Sequence, residues 1–122
     1  MVKKPLLAIA GLVLSAGCSV TDLDFQGTYV LSKSDAIEVI EVSAGGTYRH
    51  RLEKSGSTMF EEAGYWDKDN FGSGPGITFR SFQIALQSPL KPKGYWFVLP
   101  ERSWTGDILL CADDDLCFKK IQ

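Results

Sequence analysis

Between two glycine-rich turns, Thr47-Tyr48-Arg49-His50-Arg51-Leu52-Glu53 alternates without a break. Tyr48, His50 and Leu52 fall on one face and Arg49, Arg51 and Glu53 on the other, the period of a strand with one side buried and one in water. Ala44-Gly45-Gly46 before it and Ser55-Gly56-Ser57 after it supply the turns. The same grammar runs along the chain. Phe25 to Leu31 places Phe25, Gly27, Tyr29 and Leu31 on one face, and Ile37 to Ser43 is rich in Ile and Val. Thr58 to Asp67 reads as a further strand, in which Gly64 marks a bend, a bulge or a close backbone approach. Asp69 to Gly76 is rich in Gly, Asn and Ser and reads as a loop. In Ile77 to Leu86 the apolar positions change phase, from Ile77 and Phe79 to Phe82, Ile84 and Leu86, which predicts a β-bulge near Arg80 and Ser81. Pro89, Pro92 and Gly94 interrupt the pattern. Tyr95 to Leu99 is then apolar on both faces, so it is either covered on both sides or exposes part of a binding surface. Asp107 to Ala112 and Leu116 to Ile121 form a last hairpin around Asp113-Asp114-Asp115. Turn signals recur roughly every 10 residues and no helical period is sustained, so the chain is expected to be all-β. The expected architecture is a small antiparallel meander of about eight strands, forming a barrel or a strongly curved sheet.

The first residues obey a different logic. Lys3 and Lys4 precede Leu6 to Leu14, an almost wholly apolar run of about nine residues against the roughly 20 that span a bilayer, which is the pattern of a secretory signal. Leu14-Ser15-Ala16-Gly17 directly before Cys18 resembles the lipobox of bacterial lipoproteins. The resemblance implies a diacylglyceryl thioether on Cys18, cleavage after Gly17, and an acyl chain of the palmitate type on the new amino group. Residues 1–17 are then the lipoprotein signal peptide, 18–24 a lipidated tether and 25–122 the β domain. Each buried methylene contributes about 0.8 kcal/mol, so one chain binds a membrane marginally and two or more bind it stably. Ser19 follows the cysteine where an Asp would be the retention signal of the inner membrane. The expected location is therefore the cell envelope, lipid-anchored in the outer membrane and facing the periplasm.

Loss of Lys3 and Lys4 with the signal takes Lys plus Arg from 13 to 11 against 15 acidic residues, moving the formal charge from −2 to −4. An acidic single domain is a poor partner for nucleic acid or anionic headgroups, so the lipid is the expected membrane contact. With Cys18 lipidated, Cys111 and Cys117 remain as an even pair in an exported chain, the pattern of a disulfide. A three-residue loop at Asp113 to Asp115 would set Ala112 opposite Leu116 and Cys111 opposite Cys117, about 4.5 to 5.5 Å apart at Cα, which a disulfide tolerates. Gly27-Thr28-Tyr29-Val30-Leu31, Gly45-Gly46-Thr47-Tyr48, Gly64-Tyr65-Trp66 and a closing hairpin ending in Phe118-Lys119-Lys120 together resemble small bacterial lipocalin-like domains. That resemblance implies a fold and carries no binding residue over.

The chemistry-bearing residues are sparse. Cys111, Cys117 and His50 offer at most three zinc donors, two of them consumed by a disulfide, so neither a metal nor a cofactor is expected. His50 shares a face with Tyr48 and Leu52 and reads as a hydrogen-bonded core or rim residue. Asp67-Lys68-Asp69-Asn70-Phe71-Gly72 departs from a calcium loop at Phe71 and at Thr78, where oxygen ligands belong. No Ser lies in a Gly-x-Ser-x-Gly elbow, and adjacent Glu61 and Glu62 point to opposite faces of a strand, so no catalytic residue is assigned. The aromatics are the remaining signal. An apolar cup lined by Trp66, Tyr95 and Trp104 is the expected ligand site. The expected function is a non-catalytic, lipid-anchored protein that binds a small apolar ligand or an envelope protein. The alternatives are a periplasmic inhibitor of a lytic or proteolytic enzyme, acting through Asp69 to Gly76 or Leu90 to Gly94, or a structural subunit of an outer-membrane assembly.

Overall fold

The computed structural model describes residues 25–71, 74–113 and 115–122. The signal segment, Cys18 and its tether, Gly72, Ser73 and Asp114 lie outside the described residues. The strands are β1 (Gly27–Lys33), β2 (Ala36–Ser43), β3 (Thr47–Lys54), β4 (Ser57–Phe71), β5 (Gly74–Phe82), β6 (Gly94–Val98), β7 (Glu101–Arg102), β8 (Ile108–Asp113) and β9 (Leu116–Lys120). All are antiparallel and follow the order β6-β5-β4-β3-β2-β1-β9-β8-β7, a meander whose last strands return to the first and curl the sheet strongly. Among the described residues the fold is all-β, as the alternation requires, with nine strands because the two-residue β7 joins the expected set.

The first four strands are set by their turns. Between β3 and β4, Ser55 and Gly56 both take left-handed backbone (φ 53° and 81°), the conformation of a two-residue hairpin turn matched to strand twist. β1 and β2 pair from Gly27↔Val42 to Lys33↔Ala36, and β2 and β3 from Ala36↔Lys54 to Ser43↔Thr47. This register aligns Tyr29, Ile40 and His50 across one inward row. Val39, in the opposite phase, is also buried; it lies in register between Val30 and Arg51 on the outer face.

β4 is the hinge of the architecture. Its first part pairs with β3 as far as Tyr65, and from Trp66 onward it pairs with β5. Gly64 resolves to a close approach: it stands opposite Tyr48, and a Cβ there would lie 2.5 Å from the tyrosine ring. The expected loop over Asp69 to Gly76 is instead the end of the β4–β5 hairpin, with Asp69↔Gly76, Asn70↔Pro75 and Phe71↔Gly74 in register. Its polar composition belongs to a solvated face, where Thr78 Oγ1 donates to Asp69 (2.7 Å) and Arg80 Nε to Asp67 (2.6 Å).

The bulge expected near Arg80 and Ser81 is present, as a register shift between Phe79 and Phe82 with Ser81 at φ 53°. Beyond Phe82 the chain leaves the sheet, so the strand expected to reach Leu86 stops four residues earlier. Cys111 and Cys117 are in register and bonded (Sγ–Sγ 2.08 Å). The hairpin that carries them is tighter than expected: Asp113, not Ala112, stands opposite Leu116, with the irregularity between Cys111 and Asp113.

The interior is occupied by side chains. Tyr29, Tyr48, Phe25, Phe79 and Phe118 are among the largest residues fully buried. Trp96 stacks on Phe79 and Phe82 at 5.5 and 5.3 Å and reaches Phe118 at 5.8 Å, so one aromatic chain joins the β5–β6 side to β9. Tyr29 lies in this core with its hydroxyl satisfied by the Phe25 carbonyl at 2.8 Å.

Candidate functional site

The inward face of β2 carries Ala36, Glu38, Ile40 and Val42, all buried. A carboxylate in this row is costly unless every lone pair is engaged. Glu38 and His50 are diagonal neighbours on β2 and β3, since Ile40 pairs with His50 and Glu38 with Leu52. Both side chains are 0% exposed, with Glu38 Oε2 2.5 Å from His50 Nε2. The same Oε2 accepts the Ala85 N–H at 2.7 Å, and Oε1 accepts the Leu86 N–H at 3.0 Å. The two backbone N–H groups, one on each oxygen, orient the carboxyl group, and the His50 ring nitrogen closes on Oε2. His50 Nδ1 makes no hydrogen bond and sits 3.8 Å from Glu62 Oε1, while the ring packs against Phe82 (4.5 Å) and Phe60 (5.1 Å).

These contacts fix the segment between β5 and β6. Glu38 holds its start at Ala85 and Leu86. Gln83 Nε2 donates to the Lys91 carbonyl at 2.6 Å, and Lys93 Nζ to Glu62 at 2.5 Å, which ties the far end to β4. Leu90, between the two anchors, is 60% exposed.

The anchored segment forms one wall of an open cavity of about 460 Å³ at the end of the sheet. The opposite wall is built by the β1–β2 turn and the last residues of β3, and Leu52, Leu86 and Ala36 supply apolar surface. Lys33, Ala36 and Lys54 are consecutive cross-strand partners. The two lysines therefore continue the inward rows of β1 and β3 at the mouth, on either side of buried Ala36.

A second feature lies on the outer surface. Tyr65 (64% exposed), Tyr95 (78%) and Phe97 (41%) stand on β4 and β6 in the phase opposite to Trp66 and Trp96, and Phe97 covers Gly76 of β5. Arg80, paired with Asp67, lies on the same side. Tyr48 belongs to the interior: its hydroxyl donates to the Arg80 carbonyl at 2.6 Å, and burial, with the Glu62 charge adding to it, pushes its phenol up to about 12.

The cup expected from Trp66, Tyr95 and Trp104 is not assembled. Trp66 packs on the core, in register with Phe79 and Trp96, and its Nε1 donates to the Ser43 carbonyl at 2.9 Å. Tyr95 points away from it because neighbouring residues of a strand face opposite sides. Trp104 is 97% exposed in the turn between β7 and β8. Sequence reasoning missed Glu38, whose signal was a carboxylate in phase with Ile40 and Val42. Among the described residues no group of three or more His, Cys, Asp or Glu side chains is placed to hold a metal.

Comparison with protein-family models, curated proteins and solved structures places the chain beside none of them. No match is found.

Proposed function

We propose that this protein is a non-catalytic, lipid-anchored binding protein of the bacterial envelope, held at the outer membrane through Cys18 and taking a small ligand at the mouth of its β domain. The observation that carries the binding reading is the cavity of about 460 Å³ beside an interior filled by aromatic side chains. Its volume is within the roughly 300 to 1,000 Å³ of small-molecule sites, and one wall is fixed in advance by two backbone N–H bonds to a buried carboxylate. A wall already ordered does not have to be ordered on binding. The single histidine, committed to Glu38 in the core, supports a binding role over catalysis. The envelope address rests on Lys3, Lys4, the apolar run and the lipobox resemblance.

Two measurements test this reading. Intact mass of the protein from a bacterial envelope should equal the chain from Cys18 onward plus acyl groups, and Cys18→Ala should abolish both the added mass and membrane retention. Native mass spectrometry in mild detergent should show a bound small molecule that is lost on Leu52→Asp. An unprocessed chain would overturn the anchor, and a bare monomer insensitive to Leu52→Asp would overturn the ligand site. The exposed Tyr65, Tyr95 and Phe97 favour a second reading, docking of an envelope protein on the β4–β6 face, for which the same spectra would show a stoichiometric protein partner.

A further inference from the structure

The mouth cavity combines two features that select a ligand class. Its floor is apolar, from Ala36, Leu52 and Leu86, while its rim carries Lys33 and Lys54. These lysines flank Ala36 in register, so their Cα atoms are about two strand spacings, roughly 10 Å, apart. Neither ammonium makes a salt bridge with a carboxylate of the described residues. Asp35, the acid of the same rim, is turned to the β3–β4 turn: its carboxylate accepts Ser55 Oγ at 3.0 Å and its carbonyl accepts the Ser55 N–H at 3.1 Å. Glu38 lies beneath the floor with its oxygens taken by His50, Ala85 and Leu86. The mouth therefore sets two ammonium groups free of salt bridges with the described carboxylates, and one serine-bonded carboxylate turned to the neighbouring turn, around an apolar base.

We infer that the ligand of this cavity is a single-chain anionic amphiphile, with a carboxylate or phosphate head bridged by Lys33 and Lys54 and an apolar tail on Ala36, Leu52 and Leu86. The inference rests on the reading of this cavity as the ligand site. Flexible lysine stems from two strands can converge on one anion, and each ammonium brings charge-assisted hydrogen bonds. The head alone would meet only rim charges screened by water and salt, and the tail alone would leave two cations unanswered. Discrimination should thus require both parts.

The test uses the purified full-length chain carrying Cys18→Ser, titrated below their micelle concentrations with octyl phosphate, octanoate, octanol and inorganic phosphate. Amide NMR at Ala36, Leu52, Leu86, Lys33 and Lys54 reports the site. The expected result is saturable binding of octyl phosphate and octanoate at these amides, at least tenfold tighter than octanol and than inorganic phosphate. Lys33→Gln with Lys54→Gln, two exposed positions that should leave the fold intact, should reduce octyl phosphate affinity to that of octanol. Octanol binding as tightly as octyl phosphate would overturn the anionic head while leaving the cavity as an apolar site. Inorganic phosphate binding equally well would overturn the tail. No shift at these amides with any probe would overturn both this inference and the ligand reading beneath it.

Discussion

Glu38→Gln keeps the shape of the side chain and removes one acceptor. The wild-type carboxylate meets three partners: His50 Nε2 and the Ala85 N–H at Oε2, and the Leu86 N–H at Oε1. A carboxamide has one oxygen and one NH₂ group, so either orientation sets a donor against at least one backbone N–H. A buried donor left unmade costs about 1 to 3 kcal/mol, and each surviving bond falls from the charged range to the neutral one, about 1 kcal/mol less. The sum is about 3 to 5 kcal/mol, the range measured when one partner of a buried ion pair is removed. Against the roughly 5 to 15 kcal/mol of a typical domain this is a large share. Chemical denaturation of the chain and its Gln variant gives the difference, and hydrogen exchange locates it: the Ala85 and Leu86 amides should lose protection before those of β1 and β2. A variant within 1 kcal/mol of wild type, with both amides still protected, would refute the assignment of Glu38 as the anchor of this wall.

Other perturbations follow from the same geometry. Gly64→Ala puts a methyl group into the Tyr48 ring, which the Arg80 carbonyl holds in place, and should cost about 1 to 3 kcal/mol as overpacking, read as a lowered Tm. The Tyr48 phenol, raised from 10.0 to about 12, binds its proton more tightly in the folded state; its stabilisation is complete below pH 10 and lost as pH rises through 12. Alkaline unfolding should therefore be steeper in wild type than in Tyr48→Phe, read as the fall of Tm between pH 9 and pH 12. Reducing Cys111–Cys117, which closes a short loop of sequence separation 6, should cost about 2 kcal/mol by chain entropy, measured as the shift in unfolding midpoint with reductant.

Much of the sheet was legible because alternation is enforced by burial. The bulge at Arg80 and Ser81 could be read from apolar residues alone, since a strand cannot change its buried parity without an extra residue. Residues 69–76 misled because Asp, Asn and Gly usually mark loops, whereas here β4 turns its polar side outward and satisfies it across the hairpin. The Trp66, Tyr95 and Trp104 grouping failed for a related reason. Aromatic content says nothing about which side of a strand is wet, yet the adjacency of Tyr95 and Trp96 already required one to face out. The mouth cavity was beyond reach because Lys33, Lys54 and Ala85 to Ser88 come from three distant segments. Only the register of β1, β2 and β3 and the hold of Glu38 on the backbone of residues 85 and 86 bring them together.

The junction of β1 with β9 has a consequence for the order of events in folding. β1 is paired to β9 at Tyr29↔Lys120 and Val30↔Lys119, and the ladder continues as Ile121 N–H to the Thr28 carbonyl (2.8 Å) and Thr28 N–H to the Gln122 carbonyl (3.1 Å). These partners are separated by nearly the whole described chain. A contact of such sequence separation makes folding slow and leaves β1 with an open edge until β9 arrives. A nascent chain threaded through a membrane would emerge with β1 first and remain uncommitted until its last strands followed. The topology thus delays completion until the last strand is available, and it exposes β1 to wrong partners for as long as that takes.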